Sequence, residues 1–345
     1  MIKTNEGLSL RGLGIILIVF HNVTHLLCGA YENEFTFIQE NANYFINHWT
    51  QAPFTFLFSY YGWVGVSVFV FLSGYGLTVK YANSKINIYN WLRKHYLKLM
   101  FLLFPALLFL FFAGGYGDEI SKYQIKTFII EQLLLLNIIH PSGIWPGIYW
   151  YLGMAFQLYI IFLLIRKLDI TILSVVGVLT CVVLVCAPME YMFYLRHNFI
   201  GWLPEFIFGS IYCRLIKNSK IRITKKLKII LTIVFFFLFV TASFNRYIFF
   251  MTGIFFVVVL LSFKHLLVKI PAIQWIGRIS AGLYVVHAVV RQLWFNSFSV
   301  LSYFDPIVNA FIIMIISVII SIPYQYYYSY VVKGQKECTF IGTES

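Results

Sequence analysis

The chain has 345 residues, 26 Lys and Arg against 13 Asp and Glu, 60% hydrophobic and 11% charged residues, and a mean hydropathy of +0.81. Soluble domains carry about 25% charge, and disorder needs low hydrophobicity, so both classes are excluded. The net charge of +13 reads as Lys and Arg retained in the cytoplasmic loops of a polytopic membrane protein, not as a nucleic-acid surface. Long continuous apolar runs such as TIVFFFLFVTASF argue against a transmembrane barrel, whose strands alternate in polarity.

A spanning helix takes about 20 residues. Runs of that kind lie at roughly 9–29, 53–79, 99–116, 147–166, 169–188, 200–217, 228–244, 247–264, 273–295 and 306–331. The predicted fold is therefore all-α, a polytopic transmembrane bundle of about ten spanning helices. The further apolar stretch 124–140 contains Lys126 and Glu131 and is predicted to be re-entrant or interfacial. Loops 80–98 and 214–228 are rich in Lys and Arg, whereas loop 30–52 has Glu32, Glu34 and Glu40 and no basic residue. The basic loops are predicted to be cytoplasmic and the acidic one external. Arg166–Lys167 and the tail basics Lys333 and Lys336 then fall inside, with both termini cytoplasmic. One membrane domain over 1–345 is expected, with a short tail at 332–345 and no appended soluble domain. Cys28, Cys181, Cys186, Cys213 and Cys338 have no CxxC spacing and read as small core residues.

Ionisable residues within spans mark function. The first span carries Arg11, His21 and His25. Arg11 lies about 15 Å from His21 along a helix, and His21 and His25 share one face. A neutral imidazole in a bundle can take a proton from a hydroxyl. The bland alternatives are a topology anchor for Arg11 and a packing hydrogen bond for His21. A His pair can also bind a metal or relay protons, but no third acidic or sulfur ligand stands at a matching spacing, so no metal is expected. In the second span, Ser73-Gly74 offers a hydroxyl and close backbone. Arg93, Lys94 and Lys98 form a basic helix end that suits either topology or phosphate. Glu205 is one of few carboxylates within a span; a pair with a neighbouring Arg is its bland reading. Trp49, Trp63, Trp145 and Trp150 fall on the predicted outer side, where they form an aromatic belt or stack on sugar faces.

Six segments in order resemble the acyltransferase-3 family of bacterial integral-membrane acyltransferases: R11-G-L-G with H21; G65-V-S-V-F-V-F-L-S73-G74-Y75; R93-K94-H95-Y96-L97-K98; W150-Y-L-G-M-A-F-Q157-L-Y159; W202-L-P-E205-F-I-F-G209; and G277-R278-I-S280-A-G-L-Y284-V-V-H287. The likeness spans about residues 6–330. The family usually has ten residues between its first-helix Arg and His, and here there are nine. Acidic residues often precede the family's Gln, where this chain has Ala155 and Phe156. Lys98 stands where Arg is frequent.

The resemblance implies an O-acyltransferase of the bacterial cytoplasmic (inner) membrane. It would move an acetyl or other short acyl group from acyl-CoA to a hydroxyl of a surface polysaccharide or lipid-linked glycan. Acetyl-CoA is a co-substrate, and no permanently bound cofactor is expected. The basic inner face independently suits that anionic donor. His21 is the expected base or acyl carrier, Arg11 the residue steering the donor, and Asn22 or Gln157 an orienting or carbonyl-polarising amide. His25 and Glu205 complete the catalytic set, and Arg93, Lys94, Lys98 and Ser73 the donor-binding set. The expected partners are the bilayer, the donor and the glycan acceptor, and no nucleic acid. The rival reading is a transporter or flippase of lipid-linked sugars.

Overall fold

The computed structural model describes residues 1–28, 32–112, 134–135, 149–218, 224–297 and 305–333. The stretch 124–140 lies outside them apart from Leu134 and Leu135, as do Trp145, Lys220, Arg222 and the tail from residue 334. Among the described residues the chain is all-helical, with no strand. The helices are α1 (Thr4–Leu27), α2 (Gln39–His48), α3 (Pro53–Tyr61), α4 (Val64–Tyr81), α5 (Ile88–Phe112), α6 (Trp150–Ile165) and α7 (Ile170–Cys186). They continue with α8 (Met189–His197), α9 (Leu203–Asn218), α10 (Lys225–Ser243), α11 (Thr252–Leu267), α12 (Pro271–Arg278), α13 (Ser280–Ser297) and α14 (Pro306–Lys333).

Local chemistry sets several of the starts. Asp169 accepts from the Ile172 amide at 2.9 Å to open α7, and Thr224 from that of Leu227 at 3.2 Å to open α10. Pro53 and Pro271 stand in the first turns of α3 and α12, where a missing N–H costs nothing.

Six stretches are long and apolar enough to cross a membrane: Thr4–Leu27, Val64–Tyr81, Phe199–Lys217, Lys226–Ser243, Phe249–Leu267 and Pro306–Val332. The pair α12–α13 adds a seventh if it is taken as one span, although it bends by 78°. The apolar helices α6 and α7, at 16 and 17 residues, are shorter than a full crossing. The expected run 99–116 leaves the described residues at 112. Two of the expected single spans are broken: 53–79 at Gly62–Trp63 and 273–295 at Ile279.

Helix α1 is the hub and packs on α3, α4, α12, α13 and α14. The pairing of α4 with α9 is also extensive. A Cβ on Gly74 would strike the Phe206 carbonyl, and one on Gly209 the Phe71 carbonyl, so the two backbones meet directly. Of the Val64–Tyr81 window 61% is buried, against 11% of Lys226–Ser243, which places α4 at the centre and α10 at the lipid face. Exposed Val175, Val178 and Val182 on α7, and Ile233, Phe236 and Phe237 on α10, form the matching apolar exterior.

Candidate active site

His21 is buried near the end of α1. Its Nδ1 lies 3.2 Å from the Phe58 carbonyl oxygen. A carbonyl only accepts, so this contact places a proton on Nδ1. The break at Gly62 makes the contact possible: a Cβ there would lie 2.5 Å from the His21 Cβ and 2.7 Å from the Leu17 carbonyl. Helix α3 thus ends against α1, with its Phe58 carbonyl aimed at the ring.

Nε2 meets a loop that precedes α2. Glu32 Oε2 is 2.6 Å away and Glu34 Oε2 3.8 Å. His25, one turn on, has Nδ1 3.5 Å from Glu32, and its ring stacks on His21 with centroids 5.4 Å apart. The loop is anchored from several sides. Asn41 Nδ2 donates to the Glu32 carbonyl at 2.6 Å, Asn33 Nδ2 to the Tyr60 hydroxyl at 3.2 Å, and Arg196 Nε to the Glu34 carbonyl at 2.5 Å. Burial works to raise the Glu32 carboxyl, but His25 and His21 beside it hold it below the ordinary carboxylate value. Burial pushes the Glu34 carboxyl above that value. The two acids therefore differ in proton affinity although they share one imidazole.

Asn22 is fixed from α13. Its Nδ2 lies 3.3 Å from His287 Nε2, and its backbone oxygen accepts from Arg291 Nη1 at 3.2 Å. His287 Nδ1 is 3.0 Å from the Leu283 carbonyl, so its Nε2 is the acceptor of the Asn22 amide. His21, Asn22 and Glu34 line a cavity of about 20 Å³ with Trp63, Trp150, Tyr151 and Tyr284. That volume fits one small group, such as a hydroxyl or a water.

The lining continues inward. Tyr151 and Tyr284 have centroids 5.4 Å apart. The Tyr151 hydroxyl pairs with Ser73 and lies in the field of Arg11, which also acts on Tyr159. Arg11 is exposed on the surface of the bundle, with Tyr151 and Tyr159 of α6 in its field. Tyr151 thus connects the field of Arg11 with the His21 cavity that it lines.

The other expected site residues divide. Gln157 donates to Asn198 Oδ1 at 3.2 Å and accepts from the Phe199 amide at 2.9 Å, tying α6 to the turn before α9. Glu205 is buried beside Ser67 Oγ at 3.4 Å and balances the charge of Arg196, whose guanidinium lies 4.2 Å from the Trp202 ring. Both residues brace the fold around the site. Arg93, Lys94 and Lys98 line a groove of about 290 Å³ with Asn90, Leu97 and Val331. Ser73 is not among its walls. Trp91 and His95 occupy the opposite, buried face of α5, where His95 packs on Tyr159 at 4.8 Å. Trp63 and Trp150 line the His21 cavity, and Trp49 stays on the surface.

A family model described as an acyltransferase domain matches residues 9–326. The chain belongs to the acyltransferase-3 family. No curated protein matches it, and no solved structure does. The match runs from within α1 through most of α14, so the membership applies to the bundle as a whole. The chain is accordingly a membrane acyltransferase.

Glu32 and Glu34 enter the site of this acyltransferase from a segment that the sequence marks only as acidic and loop-like. His287 and Arg291 are visible in the sequence as polar residues within an apolar span, but their meeting with Asn22 crosses some 265 residues. The acid-N-acid triplet 32–34, soon after a His pair, was the available signal for the carboxylates.

Proposed function

We propose that this acyltransferase moves an acetyl or other short acyl group from acyl-CoA to a hydroxyl of a surface polysaccharide or lipid-linked glycan. The observation that carries the reading is His21. Its Nδ1 is held by the Phe58 carbonyl, and the residue lines a cavity sized for one oxygen together with Tyr151, which lies in the field of Arg11. The donor's phosphates enter at the basic end, where Arg11 offers a planar fork and the groove of Arg93, Lys94 and Lys98 further charge. The pantetheine arm follows Tyr159, Tyr151 and Ser73 toward His21.

The acceptor hydroxyl takes the place of Glu32 at Nε2. The imidazole removes its proton as the oxygen attacks the thioester carbonyl, and Glu32 stabilises the imidazolium formed. Asn22, held by His287 and Arg291, directs an amide N–H toward the developing oxyanion. The tetrahedral intermediate collapses, the C–S bond breaks, and the leaving thiolate takes the proton back from the imidazolium. A thioester is already activated, so positioning and a base suffice. Trp63 and Trp150 give the sugar flat apolar surface at the cavity. The bacterial inner membrane, with the His21 end outward, is the location this reading needs.

The test is mass analysis of the surface glycan with and without the chain, together with transfer of labelled acetyl from acetyl-CoA in isolated membranes. An intact glycan lacking acetyl groups supports the reading. Loss of the whole glycan, with no transfer in membranes, overturns it.

A further inference from the structure

We propose that His21, Glu32 and Glu34 form a binding site for a divalent transition-metal cation of the zinc type. The ligand atoms of His21, Glu32 and Glu34 all lie within 4.8 Å of one another. His25 Nδ1 is 3.5 Å from Glu32 but stands outside that set. In a tetrahedral zinc site with bonds of about 2.0–2.2 Å, neighbouring ligand atoms stand about 3.3–3.6 Å apart. The observed 2.6 and 3.8 Å separations of His21 from the two carboxylates bracket that edge.

Three further observations point to a cation. Glu32 Oε2 and His25 Nδ1 are both buried, and Glu32 Oε2 meets the imidazoles of the cluster, at 2.6 Å to His21 and 3.5 Å to His25. A cation there would take the place of the proton that His21 and Glu32 share. Second, the Nδ1 of His21 faces a backbone carbonyl, the usual outer partner that orients a metal-binding imidazole and leaves Nε2 for the ion. Third, no guanidinium among the described residues pairs with either carboxylate. Arg196 reaches only the backbone oxygen of Glu34, and Arg291 binds the backbone oxygen of Asn22. Mixed imidazole and carboxylate donors select zinc-like ions over calcium or magnesium, which take oxygen ligands.

The consequence rests on the reading of His21 as the base. A cation on Nε2 and a hydroxyl proton on Nε2 exclude each other, so occupancy of the site switches transfer off.

The purified full chain in detergent is stripped with chelator, dialysed against zinc chloride and analysed for bound zinc. About one zinc per chain is expected, with Glu32→Gln and Glu34→Gln each weakening it by roughly tenfold or more. Acetyl transfer should fall in parallel with occupancy and return on chelation. Absence of zinc from the wild-type chain, or equal affinity in wild type and both Gln variants, overturns the site. Because wild-type stoichiometry is read directly, a misfolded variant does not decide the question. Full transfer at saturating zinc overturns the switch. If zinc binds as expected while His21→Ala transfers normally, the base assignment falls and the metal site stands.

Discussion

His21 and His25 stand one turn apart on α1, yet their surroundings differ. His21 is 4% exposed, its Nδ1 is held by a carbonyl, its Nε2 meets Glu32, and the residue lines the small cavity. His25 is 19% exposed and touches the cluster through Glu32 and the face of the His21 ring. Water replaces the contacts of the second ring more easily than those of the first. His21→Ala should therefore lower acyl transfer by about 10²–10⁴-fold while the chain still inserts, and His25→Ala by roughly tenfold or less. The measurement is labelled acetyl transfer in membranes, normalised to chain abundance; the reverse ranking moves the base one turn along α1. Arg11 poses a parallel question. A topology anchor needs only charge, whereas a phosphate or carbonyl clamp needs the planar fork. Arg11→Lys should raise the KM for the acyl donor and lower transfer at limiting donor. Wild-type kinetics in Arg11→Lys would take Arg11 out of the site.

At the scale of elements, the decisive feature is a break that the apolar pattern hides. Residues 53–79 read as one continuous span, because hydrophobicity does not fall at Gly62–Trp63. The structure divides them into α3 and α4, and the end of α3 supplies the Phe58 carbonyl that orients His21. The 78° bend between α12 and α13 falls at Gly277-Arg278-Ile279-Ser280, a short polar interruption that the expected span 273–295 runs across. What was legible is α1: an Arg and a His with nine residues between them in an apolar helix are expensive enough to stand out. The carboxylates were not, because a loop has no periodicity and its contacts are tertiary. Gly62→Ala tests the role of the break. Its methyl would press on the His21 Cβ and the Leu17 carbonyl, and a shift of about 1 Å in a catalytic group costs on the order of 10²-fold. Gly62→Ala should lose activity of that order at near-normal abundance. Gly74→Leu should act differently: it drives a side chain into the Phe206 carbonyl and separates α4 from α9, costing upward of about 1–3 kcal/mol and hence abundance. Equal abundance of Gly74→Leu and wild type would show that this helix pair tolerates separation.

For the molecule as a whole, hydrogen bonds gather the basic segments at one end. Arg166 Nη1 donates to the Tyr81 and Ser84 carbonyls at 3.1 and 2.7 Å. Arg214 binds the carbonyls of Arg166 and Leu168. The C-terminal ends of α4, α6 and α9 therefore lie together, and the pair Lys264–Glu6 at 2.9 Å adds the start of α1 and the end of α11. His21 and the acidic loop occupy the far end of α1. Lys and Arg are retained on the cytoplasmic side, so the Arg11 end should face the cytoplasm, where acyl-CoA is made available, and the His21 end should face outward, toward the glycan. The check uses single cysteines in a chain whose native cysteines are replaced. Asn43→Cys on α2 and Asn83→Cys after α4 are both exposed neutral positions at opposite ends. A membrane-impermeant maleimide applied to intact cells should tag position 43 and leave position 83 unmodified until the cells are permeabilised. Tagging of 83 and protection of 43 would invert the molecule. The donor would then have to enter past Glu32 and Glu34, whose charge repels its phosphates, and the assignment of the two ends would fail with the orientation.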